Sequence, residues 1–123
     1  MAYSEKRGDG RISYQGKPHG TLILRAPGSR MEVRRILDIS NTGIRIETEG
    51  PIVARSKVAL EYTDGPMKIE VFGSVAHVSE KTQKAGPDSE PRVVGYVAGV
   101  MLMNPMTLIA MIQAGNDRSA AHP

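Results

Sequence analysis

Apolar residues that recur at every second position, between closely spaced turn signals, constrain the fold of this chain most. The segment 58–62 alternates in this way, and the segment 69–75 largely repeats the pattern. Between them lies Asp64-Gly65, a pair that favours a two-residue hairpin turn. Alternation with period two puts one set of side chains on a buried face and the other set on a solvated face. The chain is therefore predicted to consist mainly of antiparallel strands joined by hairpins.

The remaining elements follow from local signals of the same kind. Pro27-Gly28 is typical of a type II turn. Asn104 is a good N-cap, Pro105 suits the first helical position, and Gly115 is typical of the residue that follows a helix. The predicted strands cover residues 21–25, 31–40, 44–48, 58–64, 69–75 and 93–103.

These elements predict a mainly all-β fold, an antiparallel Greek-key-like barrel of about six strands with a short C-terminal helix. A chain of 123 residues fits one such domain. The predicted organisation is a flexible N-terminal arm at 1–20, the barrel domain at 21–115 and a disordered tail at 116–123. A polar, Gly- and Pro-containing stretch at 80–91 is interpreted as a mobile loop. The apolar helix either caps the barrel or contributes to a dimer interface, so a monomer and a weak homodimer both remain open.

Composition and residue spacing exclude several classes of protein. The chain has no Cys, which excludes disulfides, thiolate nucleophiles and Cys-ligated metals. His19, His77 and His122 lie far apart, so neither a metal nor another cofactor is predicted. His77 is predicted near the apolar face of Val75, with no nucleophile beside it, which argues against an enzyme. The polar start and the lack of any apolar run of about 18 residues predict a cytoplasmic protein without membrane insertion.

The stretch from Asp38 to Gly43 carries the most informative polar residues. Alternation along 31–40 puts Val33, Leu37 and Ile39 on one face of the strand and Asp38 and Ser40 on the other. A carboxylate and a hydroxyl would then project together at the strand end, and Gly43 would allow a turn with positive φ and leave space for a ligand. Side-chain-stabilised turns at strand ends use the same residue types, so a purely structural role also remains open.

Two arginines near the N-terminus form a second feature. Arg7 and Arg11 are spaced as Arg-x-x-x-Arg in a segment that contains Gly8 and Gly10. Guanidinium groups on a flexible segment can wrap onto an anion, with bidentate contacts to phosphate and stacking on a planar base. A solvated basic tail is the alternative interpretation.

Together the two features resemble the PilZ domain family, bacterial receptors for cyclic di-GMP. The family's Arg-x-x-x-Arg matches at Arg7 and Arg11, and its Asp/Asn-x-Ser-x-x-Gly matches at Asp38, Ser40 and Gly43. The resemblance implies a barrel that binds cyclic di-GMP through these five residues and needs no cofactor. Because Gly8, Gly10 and Gly16 should make the N-terminal arm mobile, we expect binding to fold the arm over the nucleotide and so create a surface for an unidentified protein partner.

Three further residues are candidates for lining the pocket, namely Lys6, Arg34 and Asn41. Arg34 is predicted on the face of Asp38, where pairing with that carboxylate is the favoured interpretation. The stretch between Arg11 and Asp38 is longer than the family pattern. A PilZ-like adaptor that binds protein but no nucleotide is therefore the main alternative function. A nucleic-acid-binding barrel is disfavoured because one Phe, four Tyr and no Trp supply few stacking aromatics.

Overall fold

The computed structural model describes residues 3–6, 11–16 and 18–121, and within these ranges the chain is mostly strand. The elements, in chain order, are β1 (Tyr3–Lys6), β2 (Arg11–Gly16), β3 (Thr21–Ala26), β4 (Ser29–Ile39), β5 (Gly43–Thr48), β6 (Lys57–Asp64), β7 (Met67–Gln83), β8 (Arg92–Leu102) and the helix α1 (Pro105–Ala121).

Six antiparallel strands close into a barrel. Their order is β4-β3-β6-β7-β8-β5, and the pairing of β5 with β4 completes the circle. Closure suits a small β domain because it leaves few strand edges unpaired. The predicted fold, a mainly β, six-stranded antiparallel barrel with a C-terminal helix, is confirmed.

The long strand β4 connects the barrel to an N-terminal hairpin. Its first half pairs with β3, and its second half pairs on the same side with β2, which in turn pairs with β1. The backbone of 3–6 and 11–16 therefore forms strands within the stretch that the sequence interpretation assigns to a flexible arm. The response of this hairpin to a ligand stays a prediction, and Arg7 lies outside the described residues.

Two register shifts in β4 change which side chains face the core. They lie on either side of Ile36 and bring Val33, Ile36 and Ile39 inward, each at most 3% exposed, whereas Leu37 is only partly buried. The predicted grouping of Leu37 with Val33 and Ile39 is therefore wrong. Simple alternation fails here because each bulge inserts one extra residue and reverses the faces after it.

The hairpin of β7 and β8 is longer than the sequence predicts. Strand β7 continues to Gln83, which pairs with Arg92, so the turn region shrinks to residues 84–91. The interpretation of 80–91 as one loop is wrong for its first four residues. Their polar composition fits the exposed positions of this part of β7.

The helix α1 covers one end of the barrel. Leu108, Ile109 and Ile112 are buried in the main core cluster. The helix continues past Gly115, so the prediction that it ends there is wrong. Gly115 instead allows close packing, since a Cβ there would lie 2.3 Å from an oxygen of Asp64. Across 3–6, 11–16 and 18–121, no helix is long and apolar enough to cross a membrane.

Candidate functional site

An open cavity of about 280 Å³ lies on the outside of the barrel, where the turn between β4 and β5 meets β8 and β7. The predicted residues Asp38, Ser40 and Gly43 all contribute to its lining. The full lining consists of Asp38, Ser40, Thr42, Gly43, Ile44, Arg45, Ala76, His77, Gly99, Val100 and Met101. The structure thus brings the motif of β4 and β5 together with residues of two other strands.

Asp38 lines this cavity, is nearly buried and is paired with Arg45. An oxygen of its carboxylate lies 3.0 Å from Nη2 of Arg45, and the side chains are 9% and 46% exposed. The two residues are direct neighbours across β4 and β5. A carboxylate has two oxygens with about four acceptor positions, so the one at Asp38 can be shared by Arg45 and further donors.

Arg34 belongs to a different part of the surface. It donates a hydrogen bond to the carbonyl of Val94 at 2.9 Å and lies 3.7 Å from the carboxylate of Glu47. It lines a separate cavity of about 510 Å³ together with Glu49 and Gly50. The predicted pairing of Arg34 with Asp38 is not found: two register shifts between Val33 and Asp38 break the alternation on which it was based, and the guanidinium of Arg34 lies beside Glu47 and Glu49 instead.

Ser40 holds the turn between β4 and β5. Its hydroxyl oxygen accepts hydrogen bonds from the backbone N–H groups of Thr42 and Gly43, at 3.3 and 3.2 Å, and lies 3.0 Å from the Thr42 hydroxyl. Its backbone N–H donates to the Gly43 carbonyl at 2.8 Å. A hydroxyl has two acceptor positions and one proton, and the turn uses both acceptor positions and also offers the proton acceptors, at the Gly43 carbonyl (3.5 Å) and the Thr42 hydroxyl (3.0 Å). Ser40 therefore stabilises this turn, which is the structural role considered for it, and a contact with a ligand would add to that role.

Gly43 is required for strand packing rather than for an unusual backbone angle. It is the first residue of β5, and the glycines with positive φ are Gly28 and Gly65 within the described ranges. A Cβ at Gly43 would lie 2.2 Å from the carbonyl oxygen of Val100 on β8. The prediction of a positive φ at Gly43 is wrong, and the close approach that the glycine permits is to a neighbouring strand.

Sequence reasoning missed the residues of β5, β8 and β7 that line the cavity beside the motif. Arg45, Gly99 and His77 are direct cross-strand neighbours on β5, β8 and β7. His77 is exposed and faces the cavity, whereas the sequence prediction grouped it with buried Val75. A register shift between Val75 and His77 reverses the face, and no turn residue in the sequence signals such a bulge.

The other predicted site residues have different positions. The backbone of Arg11 is the start of β2, one residue before Ile12, which pairs with Ile39. Lys6 pairs with Arg11 in the β1–β2 hairpin. Asn41 is exposed in the turn. For Lys6 and Arg11 the structure gives the pairing of the backbone, and Arg7 lies outside the described residues.

A cluster of charges stabilises the barrel surface beside the site. The carboxylate of Glu47 is buried, and it lies 3.0 Å from Nε of Arg35 and 3.1 Å from Nζ of Lys81. Burial raises the pKa of Glu47, but the hydrogen bonds and positive charges of Lys81 and Arg35 outweigh it, so the pKa lies below its ordinary value. In the part of the chain that the structure covers, no three His, Asp or Glu side chains form a metal-binding group.

Comparison with known proteins supports the fold. No protein-family model matches the chain, and no curated protein matches it. Among solved structures, the chain is similar to the PilZ domain of YcgR from Escherichia coli with c-di-GMP, at 14% sequence identity and a TM-score of 0.56. The match covers 97% of this chain and 100% of the other. The chain therefore has the PilZ-domain fold that its sequence motifs imply.

Proposed function

We propose that this protein is a receptor for cyclic di-GMP that binds the nucleotide in the cavity of Asp38 and Ser40. The observation that carries the proposal is the convergence of Asp38, Ser40 and Gly43 on one open cavity of a PilZ-type barrel. The similar domain of YcgR was solved with c-di-GMP, which makes this nucleotide the first ligand to test.

The residues around the cavity suit the chemistry of this ligand. A guanine base presents N–H donors that a carboxylate such as Asp38 accepts, and the Ser40 hydroxyl adds a donor when its proton turns from the Gly43 carbonyl or Thr42 to the ligand. The two phosphates of the ligand are anions that arginine side chains can bind through bidentate hydrogen bonds. The backbone register supports a role for Arg11, because β2 pairs with the segment of β4 that carries Asp38. This pairing brings the backbone of Arg11 close to Asp38 despite their long sequence separation, which supports joint binding, and we expect Arg7 to act with Arg11.

We further propose that binding changes the N-terminal segment and thereby a protein partner's access to it, in the bacterial cytoplasm. The nucleotide would be released chemically unchanged, because a receptor needs only to bind it and not to cleave its phosphodiester bonds. Chromatography of the nucleotide after long incubation with the protein tests this point, and a linear dinucleotide formed in proportion to protein would contradict it.

Isothermal titration with cyclic di-GMP is the experiment that tests the receptor function. We expect saturable binding by the full chain, and no binding by GMP at the same concentrations, since GMP lacks the second phosphate and base. Absence of heat at high-micromolar cyclic di-GMP would refute the receptor function.

A nucleotide-independent adaptor is the second candidate. Its supporting observation is that Asp38 is bonded to Arg45 and that Ser40 is bonded within its own turn. The exposed apolar side chains of Phe72 and Met103, 55% and 67% exposed, line one open cavity and offer such an adaptor a contact surface. The same titration separates the two functions.

A further inference from the structure

We propose that His77 and Arg45, on either side of Gly99, form a stacking wall for one purine base of the bound nucleotide. This inference rests on the proposed cyclic di-GMP function and adds a second side to the site, outside the Asp-x-Ser-x-x-Gly motif. The wall belongs to the same cavity as Asp38 but comes from three different strands, β5, β8 and β7.

A bulge in β7 directs His77 toward the cavity. Val75 is 1% exposed and pairs with Val100, whereas His77 pairs with Gly99, the residue before Val100. Ala76 is the extra residue, and it lines the cavity as well. Without the bulge, alternation would turn His77 toward the core. Bulges of this kind are frequent beside functional sites because they redirect one side chain without changing the fold.

Gly99 provides the space in which the imidazole lies. A Cβ at this position would be 2.2 Å from Cε1 of His77, and the two ring nitrogens would be 2.8 and 2.9 Å away. The ring therefore rests against the bare backbone of β8. On the other side of Gly99, its cross-strand neighbour Arg45 has a side chain that is 46% exposed and anchored to Asp38 at 3.0 Å.

A planar base fits these groups better than a phosphate alone. Imidazole and guanidinium groups both stack on purine rings, and the guanidinium is held in position by Asp38. A base lying along the wall would direct its edge toward the carboxylate, which accepts N–H donors. The ligand class is thus a nucleotide whose base is stacked and whose base edge is read by Asp38.

Variants of His77 test the wall in the full chain, with titration of cyclic di-GMP as the readout. Loss of one stacked base weakens binding by about tenfold or more. We expect this loss in His77→Asn, which keeps a polar group but removes the ring, and near wild-type affinity in His77→Phe, which keeps a planar ring. The control Phe72→Ala removes another exposed ring of β7 outside the cavity and should leave binding unchanged. Circular dichroism and thermal unfolding check that each variant is folded.

Gly99→Ala tests the position of the ring without removing it. The added methyl group must displace the imidazole, so affinity should fall about as much as in His77→Asn. The double variant should lose no more than either single variant, since both changes act on one contact.

The outcomes separate this inference from the receptor function. If wild type binds and His77→Asn binds equally well, or if His77→Phe loses as much affinity as His77→Asn, the stacking wall is wrong while the receptor function stands. If Gly99→Ala weakens binding equally in the presence and absence of the His77 ring, the assigned ring position is wrong. If wild type binds no cyclic di-GMP, the receptor function and the wall fall together.

Discussion

The ion pair of Asp38 and Arg45 decides what the cavity can offer a ligand. The carboxylate is nearly buried, so its charge would be costly without Arg45 or an equivalent partner. An incoming base must therefore share the carboxylate with Arg45 rather than replace it. In the proposed function, affinity beyond this shared contact comes from stacking on His77 and from the N-terminal arginines Arg7 and Arg11.

Replacement of Arg11 by Ala is expected to weaken cyclic di-GMP binding by about 1.5 to 3 kcal/mol, the range of a hydrogen bond to a charged group. Isothermal titration measures the change. The control is Arg92→Ala, which removes the same charge at the far end of the β7–β8 hairpin. Equal affinities of wild type and Arg11→Ala would exclude Arg11 from the site, and equal losses in both variants would indicate a general charge effect.

Gly43→Ala is expected to destabilise the barrel by about 1 to 3 kcal/mol, the usual cost of forcing extra atoms into a packed site. The new methyl group would overlap the carbonyl of Val100, at 2.2 Å from it. Denaturant unfolding gives the free energy. Gly50→Ala is the matched control, because its Cβ would contact only the end of the Met31 side chain, at 3.6 Å. A stability of Gly43→Ala equal to that of the control would contradict the close-packing role.

At the scale of elements, the sequence predicts the strands, turns and helix start that depend on local pattern, and it misses the side-chain facing that depends on pairing between distant strands. Strand periods, turns and the helix start at Pro105 are local, and they lead to the correct barrel. The bulges beside Ile36 and before His77 arise from register between distant strands, so the side-chain faces after them are predicted wrongly. The motif at Asp38 is found because its residues are adjacent in sequence. Arg45 and His77 enter the site only through pairing of β5, β8 and β7.

The charge cluster around Glu47 connects β4, β5 and β7 and should make stability depend on pH. The pKa of Glu47 is lower in the folded chain than its ordinary value of 4.5, so its stabilising effect is complete above that value and is lost as the pH falls below it. Glu47→Gln should therefore reduce the unfolding free energy at pH 7 by about 1 kcal/mol, a modest value because solvent screens the half-exposed Arg35 and Lys81. The difference from wild type should shrink below pH 4.5.

Denaturant unfolding at several pH values tests this expectation. Glu49→Gln is the control, because Glu49 is 85% exposed beside Arg34 and its pair contributes little. A difference between wild type and Glu47→Gln that stays constant from pH 7 to well below 4.5 would contradict the assigned role of the carboxylate.

At the scale of the whole molecule, the N-terminal hairpin and the barrel differ in how firmly they are held. Strand β6 pairs on both sides, with β3 and β7, over most of its length. Strand β1 is at the end of the strand order and pairs with β2, which contacts β4 through three register pairs interrupted by a shift. Two-stranded hairpins are marginally stable by themselves, so this one should open more easily than the barrel.

Cyclic di-GMP should therefore protect the hairpin more than the barrel in hydrogen exchange. If the ligand bridges Arg11 and the cavity of Asp38, opening of β2 requires its release, and the opening free energy rises with ligand concentration. At a ligand concentration 100 times Kd, the rise is about 2.7 kcal/mol, which slows exchange through this opening about 100-fold. We expect this slowing between residues 7 and 20 and little change in β6. Exchange that is equally fast in 7–20 with and without saturating ligand would refute the coupling of the arm to binding, even if titration shows that the nucleotide binds.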